Sequence, residues 1–116
     1  MSQITLPTNY LELLAWFAGG LTLANAIPHF VSGVMGRRFP SPFAKPPGKG
    51  QSSAVTNVLW GFFNLALAYL LLCRVGAFDL HNCWDVGAFA LGVLLIGVFC
   101  ARHFGSLNDG RGPGLA

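Results

Sequence analysis

The chain has 116 residues and a net charge of +3, with 9% of its residues charged and 53% hydrophobic. A soluble domain would carry about a quarter charged residues, so the composition argues against a water-exposed fold, and the length leaves room for one domain at most. Mean hydropathy is +0.57, and the apolar residues stand in blocks, whereas helices facing water must each keep a polar side.

A helix needs about 20 mostly apolar residues to cross a hydrocarbon core of about 30 Å. Three blocks qualify. The first runs from about Tyr10 to Gly36 and carries no Asp, Glu, Lys or Arg after Glu12. Inside it, Ala24-Asn25-Ala26 has the A-x-A form of a signal-peptide cleavage site, but a leader over residues 1–26 would also carry Lys or Arg ahead of the apolar run. That segment has none, so a span is expected. Thr22, Asn25, His29, Ser32 and Gly36 recur three or four residues apart and share one helix face. Pro28 removes a backbone hydrogen bond just before His29 and is expected to kink the helix there.

Residues 37–53, "RRFPSPFAKPPGKGQSS", hold Arg37, Arg38, Lys45 and Lys49, four of the seven basic residues. Short loops rich in Lys and Arg stay in the cytoplasm. This loop is therefore expected inside, with the N-terminus outside and the C-terminal tail back in the cytoplasm. Pro40, Pro42, Pro46 and Pro47 favour extended backbone, which suggests a stiff strap on the inner leaflet with Phe39 and Phe43 in the headgroup layer. Arg37, Arg38, Lys45 and Lys49 would face anionic lipid headgroups, at about 1 kcal/mol each. "GKGQSS" leads into the second block with Ser52 or Ser53 as a natural N-cap. Free N–H groups beside Lys49 make a candidate phosphate site there, without the G-x-x-x-x-G-K-[ST] pattern.

The second span covers about residues 54–74 and the third about 85–103. Open backbone is excluded from hydrocarbon and no barrel-like alternation is present, so an all-α three-helix membrane bundle is expected, with residues 1–104 as one domain. In the second helix Asn57, Gly61, Asn64 and Ala68 line one face, with Trp60 beside them. Two helices joined by a loop at one membrane face run antiparallel, so Asn25 should meet Asn64, His29 should meet Trp60, and Ser32 should meet Asn57. Gly33, Gly36 and Gly61 would let the backbones close up. This stripe reads either as a packing seam or as the lining of a polar path with His29 as its titratable group. His29, Cys100 and His103 fall at one depth, where a metal or a haem is conceivable. They lack motif spacing, and no metal or cofactor is expected.

Between the second and third blocks, "VGAFDLHNCWD" is the second outer turn, where Asp79 or Asp85 would pair with Arg74. Three cysteines cannot all pair within one chain; Cys73 and Cys83 are the candidates for a bridge on the oxidising side, Cys100 for a buried thiol. Gly87, Gly92 and Gly97 would admit a partner helix against the third span. Residues 105–116, with Arg111, read as a flexible tail.

"PHFVSGVMGRRFPSPFAKPPGKGQSS" followed by "NVLWGFFNLALAYLLL" resembles a group of small bacterial multi-pass membrane proteins of unknown function, over residues 28–72. The resemblance implies no activity and no catalytic residue. The chain is expected to be a bacterial inner-membrane protein that serves as an accessory or scaffolding subunit, as a homo-oligomer or in a larger complex, without a nucleic-acid partner. An oligomeric transporter or channel lined by the polar stripe is the alternative, and an intramembrane metal or haem redox protein the third reading.

Overall fold

The computed structural model describes residues 9–108. Three helices account for most of them: α1 (Tyr10–Val34), α2 (Ala54–Cys73) and α3 (Cys83–Asn108). The fold is all-α, and each helix is long and apolar enough to cross a membrane, with mean hydropathies of 1.3, 1.7 and 2.1 over their most apolar stretches.

Local chemistry sets the boundaries. Asn9 starts α1, its Oδ1 accepting from the N–H groups of Leu11 at 2.9 Å and Glu12 at 3.3 Å. The helix runs through Pro28 and stops two residues short of the expected end, because Gly36 takes a φ of +73° that side chains with a Cβ disfavour. Its N–H then bonds Gly33 O, and that of Arg37 bonds Ser32 O, both at 2.9 Å. Ser53 is the N-cap of α2, with Thr56 N–H donating to its Oγ at 3.1 Å. Ser52, the other expected cap, shares a hydrogen bond with Ser41 instead. α3 begins at Cys83 and continues to Asn108, beyond the expected end at 103, because Phe104 packs on Phe39 with ring centroids 4.6 Å apart. Residues 105–108, expected in the tail, are thus helical, and residues 109–116 with Arg111 lie outside the described residues.

α1 is the shared partner. α2 and α3 each pack on it, and among the described residues no α2 backbone position comes within 8 Å of one on α3, so the expected bundle is an open arrangement of three helices, 49 × 32 × 22 Å in extent. Glycine sets both contacts. A Cβ on Gly20 would stand 2.2 Å from Phe89 O, and one on Gly92 2.1 Å from Phe17 O, so α1 and α3 meet backbone to backbone. Gly33 against Ala54 O and Gly61 against Phe30 N, each 2.7 Å from such a Cβ, do the same for α1 and α2. Gly92 is therefore consumed inside the chain, whereas Gly87 and Gly97 have nothing within 4 Å.

Burial is inverted relative to a soluble protein. His29, Asn57, Asn64 and Ser41 are buried, and among the described residues the buried hydrophobic side chains include one large one, Trp16, beside Ala26, Ala44 and Ala68. Leu59 is 65% exposed, Leu94 62% and Phe62 62%. Large apolar side chains on the outside and polar ones within is the pattern that a hydrocarbon solvent favours.

Candidate functional site

The buried face of α2 consists of Asn57, Gly61, Asn64 and Ala68, the four positions whose spacing marks one helix face. At its loop end Asn57 has no exposed surface. Its Nδ2 lies 2.9 Å from Phe39 O, 3.1 Å from Ser53 O and 3.4 Å from Ser52 O, all acceptors, which fixes the amide orientation and leaves Oδ1 to accept. His29 Nδ1 is 2.8 Å from that Oδ1, so Nδ1 carries the proton and donates. His29 Nε2 has no hydrogen-bond partner among the described residues. Around the imidazole stand Phe39, Trp60 and Phe104, edge-on, at 5.4, 6.4 and 6.2 Å between centroids.

The expected register holds one turn further on, where Asn25 Nδ2 donates to Asn64 Oδ1 at 3.3 Å while Asn64 Nδ2 donates back to Trp60 O at 2.9 Å. His29 meets Trp60 as expected. Ser32 does not meet Asn57. That amide reaches His29 and the loop carbonyls instead, because two donors and an acceptor are better satisfied there than by one hydroxyl.

The loop is folded, and the extended strap expected of its prolines does not form. Phe39 and Ser52 pair as an antiparallel bridge with N–O distances of 3.2 and 2.9 Å. Ser41 O accepts from Ala44 and Gly48, and Pro46 O from Lys49 and Gly50, so the segment doubles back on itself. Gly48 O lies 2.7 Å from His103 Nε2 on α3. Phe39 turns inward onto His29 and Phe104, contrary to the headgroup position expected of it. Phe43 stays 64% exposed, beside Trp60 at 5.4 Å. Arg37, Arg38, Lys45 and Lys49 are all exposed.

The other candidates stay apart. Cys100 Sγ is 3.9 Å from Asn25 Oδ1 and His103 is held by the loop, so His29, Cys100 and His103 form no donor set; among the described residues no three His, Cys, Asp or Glu side chains converge on a metal position. Cys73 and Cys83 are exposed and unbridged in this structure. Arg74 makes no ion pair with Asp79 or Asp85. Asp85 Oδ2 instead accepts from Asp79 N–H at 3.0 Å, closing the turn between α2 and α3, and His81 Nδ1 lies 3.7 Å from Asp79 Oδ1.

No protein-family model, curated protein or solved structure matches this chain, so its functional reading rests on the geometry above. Sequence reasoning missed Phe39 O as an acceptor for Asn57, Ser41 as the partner of Ser52, and Phe104 as a neighbour of His29 and Phe39, and it gave Ser52 and Asp85 other roles than those found. Ser41 sits between Pro40 and Pro42 and Ser52 lies just ahead of the second apolar block, and nothing in that spacing marks them as partners.

Proposed function

We propose that this chain is a three-span protein of a bacterial inner membrane, with its N-terminus outside, its loop and C-terminus in the cytoplasm, and an accessory or scaffolding role within a larger membrane assembly. One observation carries the role: the polar stripe is spent on internal hydrogen bonds, Asn25 to Asn64 and His29 to Asn57 to the loop, while α1 is the one helix whose backbone α2 and α3 approach closely among the described residues, and both keep apolar flanks. Side chains that fix register and rigidity inside, with apolar helix faces left outside, suit a part that docks against other helices. The orientation is supported by the basic loop at the end opposite Glu12, Asp79 and Asp85.

The transporter reading keeps one observation, the partnerless Nε2 of His29. The two separate on purification. The tagged chain, extracted in mild detergent at its native level, is expected to bring down a partner in fixed stoichiometry and, reconstituted alone, to pass no solute. A homo-oligomer whose solute flux vanishes in His29→Ala, with fold and assembly intact, would replace the accessory reading with the transporter.

A further inference from the structure

The four cations of the loop are not equivalent. Arg37, Arg38 and Lys49 line one concave cleft of about 230 Å³ between the end of α1, the loop and the end of α3, and Lys45 does not. Ser32 and Gln51 add neutral hydrogen-bonding groups to its wall, and Phe104 an aromatic one. The cleft is smaller than the roughly 300–1,000 Å³ that a drug-sized ligand occupies, which suits a headgroup-sized ion.

Its frame is built. The left-handed Gly36 turns the chain so that Arg37 follows directly on α1, the Phe39–Ser52 bridge sets Arg37 and Arg38 beside Lys49 and Gln51, and Phe104 holds α3 against Phe39. Three like charges on one concavity repel one another. Among the described residues none of the three has an ion pair or a side-chain hydrogen bond, and the acidic residues among them, Glu12, Asp79 and Asp85, all lie at the far end of the helices; the fourth acidic residue, Asp109, lies outside the described residues.

We propose that this cleft binds a phosphate group, clasped by Arg37, Arg38 and Lys49 and hydrogen-bonded by Ser32 and Gln51. Arginine forks match phosphate oxygens two at a time, and a lysine supplies the third charge. The phosphate comes either from an anionic phospholipid of the inner leaflet or from a soluble phosphorylated compound. Only the lipid source rests on the membrane reading above.

The test uses the full chain in neutral detergent, free of phosphate and sulfate, with thermal unfolding followed by tryptophan fluorescence. Inorganic phosphate is titrated in one arm, and dioleoyl phosphatidylglycerol against a dioleoyl phosphatidylcholine background in the other. A ligand that binds only the folded chain raises Tm saturably. Saturation by inorganic phosphate identifies a soluble source, and saturation by phosphatidylglycerol alone identifies the lipid. In either case Arg37→Gln, Arg38→Gln and Lys49→Gln should each raise the half-saturating concentration about tenfold, the loss of one charge-assisted contact, while Lys45→Gln, an equal change of charge on the same loop, leaves it unchanged. No saturable shift in either arm, or equal weakening by Lys45→Gln, overturns the proposal. A chain that stays dispersed without detergent refutes the membrane reading instead, and the phosphate arm still decides the cleft.

Discussion

Asn57 ties three segments together: α1 through the His29 side chain, the start of the loop through Phe39 O, and its end through Ser53 O. Truncating it leaves the buried Nδ1–H of His29 without an acceptor, and an unsatisfied buried donor costs about 1–3 kcal/mol. Asn64 bonds only Asn25 and its own helix, and interhelical hydrogen bonds between such groups average about 0.6 kcal/mol. Asn57→Ala should therefore lower the thermal midpoint in detergent clearly more than Asn64→Ala; equal losses would deny Asn57 its role as a hub. The Asn25 to Asn64 pairing was legible in the sequence because polar groups in hydrocarbon can only turn to each other at equal depth. The Asn57 network was not. An amide with two donors takes whatever carbonyls the loop presents, and the path of a loop with four prolines does not follow from its own composition.

At the scale of the elements, the two interfaces of α1 use different signals. The α2 side joins polar residues, Asn25, His29, Asn57 and Asn64, to its glycines, Gly33 and Gly61, and the polar ones gave the spacing that marks the shared face. The α3 side has glycine alone, and Gly20 carried no mark beyond its size to say which neighbour it would meet. Adding a methyl group at Gly20 or Gly92 pushes backbone oxygens that cannot swing aside, and overpacking of this kind costs about 1–3 kcal/mol. Gly20→Ala and Gly92→Ala should loosen α3 from α1, visible as a lower midpoint and weaker crosslinking between engineered cysteines on the two helices. Gly87→Ala and Gly97→Ala, with open space around them, should leave the isolated chain unchanged. Equal effects at all four positions would contradict the packing described. The end of α3 was misplaced for a related reason. Gly105 and the polar residues after it read as a stop, yet Phe104 has a partner in Phe39 that only the folded loop supplies.

For the molecule as a whole, charge predicts which side each end faces, and the thiols offer a direct check. Cys73 and Cys83 are exposed at the end of the helices opposite the basic loop, and Cys100 is part-buried within α3 beside Asn25. A membrane-impermeant maleimide added to intact cells should modify Cys73 and Cys83 and spare Cys100. With the native cysteines replaced, Lys49→Cys should react only after the cells are opened. Labelling of Lys49→Cys in sealed cells would invert the orientation. Apolar block length and the position of the basic loop made the three spans readable. That α2 and α3 stand apart was not readable, because both carry long apolar runs, and such a run does not record whether lipid or a neighbour covers it.

The central place of α1 bears on how the chain is made. Chains emerge from the ribosome N-terminus first, and of the three helices the one made first is the one on which both others pack. Neither of them has to wait for a mate still untranslated. The pairing is thus compatible with stepwise assembly during synthesis: α2 has its partner α1 as soon as it is made, and α3 finds the same surface already present.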